Sequence, residues 1–146
     1  MGVPFHYVLL STFCYATEKP ELVRQALKFV VTGSLHTEWP LEQNNAEGHF
    51  GDQLIVLTTR LDVAQAMRDF CFRVIAPLGL EEFVKHIDDN CFFHLRFSKE
   101  EALQGQLKSS DTASVIIVRG KIRAYPARRE NAINIIQDIL AHYHNG

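Results

Sequence analysis

The sequence has no hydrophobic run long enough to cross a membrane. Its longest apolar runs contain about five residues, whereas a membrane-spanning helix needs roughly 20. The N-terminus, Met1-Gly2-Val3-Pro4-Phe5-His6-Tyr7, also lacks the basic region and the small-residue cleavage site of a signal peptide. We therefore expect a cytoplasmic protein that has no membrane partner.

The sequence also lacks the motifs by which catalytic and metal sites are recognised. It contains no GxSxG, P-loop, GxGxxG or HExxH pattern. Its three cysteines, Cys14, Cys71 and Cys91, have no CxxC spacing and lie in apolar stretches, which is typical of buried reduced thiols. His142 and His144 are two positions apart and so fall on different faces of a helix. We expect no metal, no cofactor and no catalytic residue.

The pattern of apolar residues predicts one domain of mixed strands and helices over residues 1–146, since this length supports a single sizeable core. Alternating and β-branched stretches predict strands at Phe5–Tyr15, Gln53–Leu61, Cys91–Phe97 and Ser114–Tyr125. Helical spacing predicts helices from Pro20 to Gly33, from an Asp62 cap to about Ala76, from Leu80 to Ile87, from Ser98 to about Gly105, and from Ala127 to Tyr143. Residues 34–52 are rich in turn formers and are predicted to be an irregular loop with one short strand around Leu35 to Leu41.

The net charge of -2 hides an uneven distribution. Residues 119–129 contain five cations and no acid, so this stretch carries +5 and the rest of the chain carries -7. A local concentration of positive charge indicates an anionic partner more directly than the overall isoelectric point does.

Strand periodicity places three of these cations on one face. Side chains two residues apart share a face of a strand, so Arg119, Lys121 and Arg123 are predicted to project together, away from the core. Arg128 and Arg129 follow at the start of the last helix, where positive charge opposes the helix dipole. We predict that these five side chains bind RNA phosphates. Alternatively, the charges protect an edge strand against aggregation or pair with acids of the short helices.

The third predicted strand offers an aromatic residue beside cations. Its alternation puts Phe92, His94 and Arg96 on one face, opposite three apolar residues. An exposed Phe92 would stack on bases of single-stranded RNA, although phenylalanines lie more often in the core. Arg96 and Lys99, at the end of this strand, would extend the RNA-binding surface.

A titratable side chain lies between two glycines in the long polar loop. The segment Gly48-His49-Phe50-Gly51 would let backbone amides approach a phosphate, so His49 is a candidate RNA contact. The alternative is a tight turn into the second strand with an exposed His49.

Several segments, taken together and in order, resemble an archaeal family described as predicted RNA-binding proteins and candidate exosome subunits. They are Ser11-Thr12-Phe13 to Ala16-Thr17-Glu18, Glu47-Gly48-His49-Phe50-Gly51, Leu95-Arg96-Phe97-Ser98-Lys99 to Leu103-Gln104-Gly105, and Ile122 to Tyr125-Pro126-Ala127 with Arg129-Glu130-Asn131. This family is similar in fold to the ribosomal protein that contacts the small ribosomal RNA of the large subunit. The resemblance implies an α+β fold, with an antiparallel or mixed sheet of about four strands, helices packed on one face, and the other face open to RNA.

The resemblance implies a non-catalytic RNA-binding protein that acts in RNA processing or degradation, with exosome subunits as partners. Two other hypotheses stay open. The charged strand would serve a homodimer or protein-interaction module if it pairs with the acidic remainder of another copy. A small-molecule enzyme that uses His49 is the third hypothesis.

Overall fold

The protein is described by a computed structural model that covers residues 3–48 and 51–145, with side chains up to residue 142. Its five strands are β1 (Phe5–Cys14), β2 (Glu42–Glu47), β3 (Gln53–Leu61), β4 (Phe92–Ser98) and β5 (Val115–Ile122). They form an open antiparallel sheet in the order β2-β3-β1-β5-β4. The expected α+β class is confirmed, with five strands rather than about four.

The additional strand is β2, which pairs with β3 from Glu42↔Thr58 to Glu47↔Gln53. The short strand predicted around Leu35 to Leu41 was therefore placed too early. Nearly all of β2 is exposed and its sequence, EQNNAE, has no apolar alternation, so its strand conformation follows from pairing with β3.

The helices are α1 (Pro20–Thr32), α2 (Ala64–Phe70), α3 (Ala76–Leu78), α4 (Leu80–Val84), α5 (Lys99–Leu103) and α6 (Arg129–Asn145), with a π-helical turn, Cys71–Ile75, between α2 and α3. Pro20 occupies the first turn of α1, where its missing N–H costs nothing. Gly33 ends α1 in the left-handed region, at φ 81°, and donates its N–H to the Phe29 carbonyl. The predicted capping of α5 is confirmed, because the Ser98 hydroxyl accepts the N–H of Glu101 at 3.2 Å.

Three predicted boundaries were wrong. Asp62 does not cap α2; the helix is preceded by Val63 without a side-chain cap, and Asp62 lies 3.8 Å from Arg60. The last strand ends at Ile122 rather than at Tyr125, and α6 begins at Arg129 rather than at Ala127.

The chain forms two compact units. The first contains residues up to Val8, Arg60–Leu95 and the residues from Arg119 onward. Its core includes Phe93, whose ring centroid is 5.2 Å from that of Phe5 and 5.1 Å from that of Phe83. The single domain expected over residues 1–146 stays a prediction.

The second unit contains the described residues of Leu9–Thr59 and Arg96–Val118. Its core includes Leu10, Leu27, Val30 and Ile116, all fully buried. Helices α1 and α5 pack against each other within this unit.

Candidate functional site

Two aromatic rings of the first unit each hold an arginine over their face. Tyr7 of β1 has the Arg60 guanidinium 4.4 Å from its ring centroid. Phe92 of β4 has the Arg119 guanidinium at 4.0 Å and the Lys121 ammonium at 4.5 Å. The two rings are 6.5 Å apart, with a tilt of 58° between their planes. We call these five residues the ring cluster.

The strand pattern explains why the ring cluster is accessible. In β4, Phe93 and Leu95 are buried, so Phe92 and His94 face the opposite, open side of the strand. In β5, Arg119 is exposed and Lys121 is partly exposed. The predicted alternation of both strands is confirmed for these residues.

The ring cluster carries positive charge that the described part of the chain does not neutralise. Among the described side chains, no carboxylate forms an ion pair with Arg119 or Lys121. Lys121 Nζ donates instead to the Asn90 carbonyl at 2.6 Å. A partly exposed aromatic side chain flanked by two unneutralised cations offers both charge and a stacking surface to an anionic, aromatic ligand.

A carboxylate in the preceding turn fixes Phe92. Asp88 Oδ1 accepts the backbone N–H groups of Asn90 at 2.9 Å and of Phe92 at 3.0 Å. Asp88 Oδ2 lies 2.9 Å from Nε2 of His94. Burial by itself raises the pKa of Asp88, but the hydrogen bonds from His94, Phe92 and Asn90 outweigh it, so the pKa lies below its ordinary value of 3.8.

This turn predicts a pH-dependent contribution to stability. Because the folded Asp88 has a lower pKa than the unfolded one, the stabilisation is fully present above pH 3.8 and is lost as the pH falls through the folded pKa. We expect Asp88→Ala to lower the free energy of unfolding by about 1 kcal/mol at neutral pH. Urea unfolding of both proteins at several pH values should show this difference shrinking below pH 3.8; a difference that grows as the pH falls below 3.8 contradicts the assignment.

Arg119 and Lys121 lie together as predicted, but Arg123 does not continue their row. It follows the end of β5 and its Nε donates to the Phe5 carbonyl at 3.1 Å. Its side chain lines a small cavity with Ile135 and Asp138 of α6. The chain leaves strand geometry after Ile122, so the two-residue periodicity no longer holds for Arg123.

The two arginines at the start of α6, Arg128 and Arg129, differ in their hydrogen bonds to the rest of the protein. Arg129 donates from Nε to the Ile87 carbonyl at 2.9 Å and from Nη2 to the Val84 carbonyl at 2.6 Å. It therefore binds backbone carbonyls at and just after the end of α4. These contacts give Arg129 a structural role at the start of α6, so its presence there does not require an RNA ligand. Arg128 is exposed, and its side chain has no hydrogen-bonding or ion-pairing partner among the described residues.

In the second unit, the expectation for Lys99 was wrong. Lys99 is 3% exposed, and its Nζ donates to the Phe13 carbonyl and to Glu18 Oε1, both at 2.8 Å. A buried, ion-paired ammonium is not available to a phosphate. Arg96 is exposed and donates from Nη2 to the Thr112 carbonyl at 3.1 Å. His49 lies outside the described residues, so its role stays a prediction.

Sequence reasoning missed Tyr7 and Arg60. The alternation within β1 and β3 would have put each side chain on a strand face. Their meeting depends on β3 lying next to β1 in the sheet order, which no local pattern specifies. In the structure, Tyr7 is partly exposed and Arg60 is exposed, and nothing in the sequence distinguishes them from other residues of the same types.

The cysteines offer no reactive group. All three are buried and none forms a disulfide. Burial raises the pKa of Cys14 and of Cys91, which lowers the fraction of reactive thiolate.

The described part of the chain shows neither a cluster of metal ligands nor a membrane-spanning helix. Among the side chains of residues 3–48 and 51–142, no three His, Cys, Asp or Glu residues gather in a way that would hold a metal ion. No helix in the described ranges combines the length and the apolar character that crossing a membrane requires.

The chain matches a family model whose description is RNA binding, over residues 7–122. It is also similar to a curated RNA-binding protein of Pyrococcus abyssi, with 27% identity over 143 residues that cover 92% of this chain and 93% of that protein.

Solved structures show the same fold. A DUF54 protein of Methanothermobacter thermautotrophicus is 31% identical, with a TM-score of 0.79 over 94% of this chain and 98% of that one. A DUF54 protein of Archaeoglobus fulgidus is 22% identical, with a TM-score of 0.75 over 92% of this chain and 99% of that one. The second likeness bears on the fold alone.

Proposed function

Because the chain belongs to the family described as RNA binding, we propose that it is a non-catalytic, cytoplasmic RNA-binding protein that holds RNA on the ring cluster. The observation that carries this proposal is the pair of cations, Arg119 and Lys121, that flank the partly exposed side chain of Phe92 without a neutralising carboxylate among the described side chains. The relative from Pyrococcus abyssi, named an RNA-binding protein, supports the same ligand.

The charges divide into those that would bind phosphate and those that maintain the fold. Arg119, Lys121 and Arg128 have side chains that no described carboxylate neutralises. Arg129 and Lys99 are engaged by carbonyls and a carboxylate of the protein itself. The phosphate-binding set that we propose is therefore smaller than the set of cations in the basic stretch.

We further propose that the protein acts in RNA processing or degradation in association with exosome subunits. The support for this role is the resemblance of the ordered segments to the archaeal family of candidate exosome subunits. A non-catalytic subunit of this kind would hold RNA mainly through its backbone, with affinity that falls as salt rises.

The double variant Arg119→Ala, Lys121→Ala tests the ligand and the site. We expect its affinity for single-stranded RNA at low salt to fall by roughly tenfold or more, since two charge-assisted contacts are lost. We also expect the plot of log affinity against log salt to become shallower by about 1.4, which is the change for two phosphate contacts on a single strand. Fluorescence anisotropy over a salt series measures both.

The matched control is Arg68→Ala, Lys85→Ala, which removes one arginine of α2 and the lysine that directly follows α4 in the same unit. It should bind RNA like the parent, apart from a small general effect of charge. If the two double variants bind RNA equally well, the ring cluster is not the site. A parent protein that binds no RNA but self-associates in a salt-sensitive way, measured by light scattering, would favour the homodimer instead.

A further inference from the structure

We infer that the ring cluster selects single-stranded RNA by stacking two neighbouring bases, one on the Arg60–Tyr7 pair and one on the Arg119–Phe92 pair. This inference rests on the proposed function and adds the class of RNA and the mode of recognition. A base enters such a site only when it is unpaired, because a duplex keeps its bases stacked inside the helix.

The geometry supplies two similar platforms side by side. Each consists of an aromatic ring with a guanidinium over it, at 4.4 Å for Arg60 on Tyr7 and at 4.0 Å for Arg119 on Phe92. The ring centroids are 6.5 Å apart. Bases of single-stranded RNA stack on aromatic rings and on the flat face of arginine, so each pair offers a surface for one base.

Arg60 and Arg119 differ in how far a carboxylate of the protein compensates their positive charge. This difference helps to distinguish base stacking from phosphate binding. Arg60 Nε lies 3.8 Å from Asp62 Oδ2, so part of its positive charge is compensated within the protein. Arg119 has no such partner among the described side chains. Both nevertheless lie over a ring. The feature that the two pairs share is therefore the planar guanidinium on an aromatic face, and planar groups serve stacking.

The backbone at Phe92 and the neighbouring Lys121 side chain are also held in place, which favours stacking on this platform. The N–H group of Phe92 is fixed by Asp88, and Lys121 is anchored to the Asn90 carbonyl at the same turn. A platform that is ordered before binding loses little conformational entropy when a base arrives.

The test removes the planar guanidinium groups of Arg60 and Arg119 and keeps their positive charges. In the double variant Arg60→Lys, Arg119→Lys, each flat guanidinium becomes a compact ammonium of the same charge. Three probes are compared by anisotropy: an unstructured polyadenosine oligomer, the same oligomer with abasic positions in place of bases, and a duplex of equal length. The control variant is Arg68→Lys, which makes the same exchange at an arginine of α2 in the same unit, outside the ring cluster.

We expect the parent to bind the polyadenosine oligomer about tenfold more tightly than the abasic oligomer, as loss of base stacking implies. The double lysine variant should lose about tenfold for the polyadenosine oligomer and keep its affinity for the abasic one, with an unchanged salt slope. Arg68→Lys should change neither affinity. An oligomer that carries 2-aminopurine should show quenched fluorescence on the parent and less quenching on the double variant.

The outcomes separate the two proposals. A parent that binds none of the three probes at low salt contradicts the proposed function and, with it, this inference. A parent that binds abasic and base-containing oligomers equally, or binds the duplex more tightly, overturns the stacking inference and leaves backbone binding in place. Equal losses for both single-stranded oligomers in the lysine variant also overturn it.

Discussion

Gly120→Ala is expected to lower the free energy of unfolding by about 2 kcal/mol. Gly120 lies in β5 between Arg119 and Lys121, and it faces the core. A Cβ atom placed there would lie 2.2 Å from Cε1 and 2.6 Å from Cζ of Phe93. The Phe93 ring is fully buried against Phe5 and Phe83, so it has little room to move.

Two effects oppose each other in this variant. Alanine is favoured over glycine in a strand by roughly 0.5–1 kcal/mol. Overpacking a well-filled core costs about 1–3 kcal/mol and sometimes more. Overpacking is the larger effect, so the variant is destabilised.

Urea unfolding of four proteins measures the clash directly: the parent, Gly120→Ala, Phe93→Leu and the double variant. If the ring is the obstacle, the double variant is more stable than the sum of the single effects predicts, by about 1 kcal/mol or more. Gly48→Ala is the matched control, because a Cβ there meets its nearest atom at 3.7 Å. Additive effects, or equal losses at Gly48 and Gly120, would contradict the close packing of Phe93 on β5.

Lys99→Met is expected to lower the free energy of unfolding by about 2–3 kcal/mol. Methionine keeps much of the apolar chain length but leaves the Phe13 carbonyl and the Glu18 carboxylate without their ammonium donor. Breaking a buried ion pair by removing one partner costs roughly 3–5 kcal/mol. The side chain of Glu18 is 27% exposed, so water recovers part of this cost and the lower end applies.

Thermal and urea unfolding of Lys99→Met measure this loss. The matched control is Lys108→Met in the same unit, since Lys108 is exposed and its loss should change stability by less than about 0.5 kcal/mol. Adding Glu18→Gln to Lys99→Met should restore part of the stability, because the uncompensated carboxylate is gone. Under conditions where Lys99→Met is folded, its RNA affinity should match that of Lys108→Met. A loss of RNA binding in Lys99→Met alone would indicate that Lys99 contacts RNA.

Local patterns predicted the elements that have strong apolar periodicity. The strands β1, β3, β4 and β5 and the helices α1 and α6 were found within a few residues of their ends. β2 was missed at its true position because Gln, Asn and Glu have low strand propensity and no face of β2 is buried. Its conformation depends on the partner strand β3.

For the candidate site, the sequence alone predicted two of its cations and one ring. Arg119 and Lys121 are two residues apart in a strand, so periodicity was enough to place them on one face. The same rule placed Phe92 on the face of its strand opposite the apolar residues, where it is partly exposed. The alternation failed at Arg123, where the strand had already ended, and charge alone could not distinguish Lys99 and Arg129 from free cations. Burial and carbonyl partners decide that difference.

The sequence therefore determined which faces of the strands are apolar and where positive charge is concentrated, because both depend on spacing along the chain. Only the tertiary structure decided which cations are engaged by the protein itself and which are free. It also decided that Tyr7 and Arg60 join Phe92 and Arg119. The physical reason is that strand order and long-range packing, rather than local periodicity, bring residues more than 50 positions apart into contact.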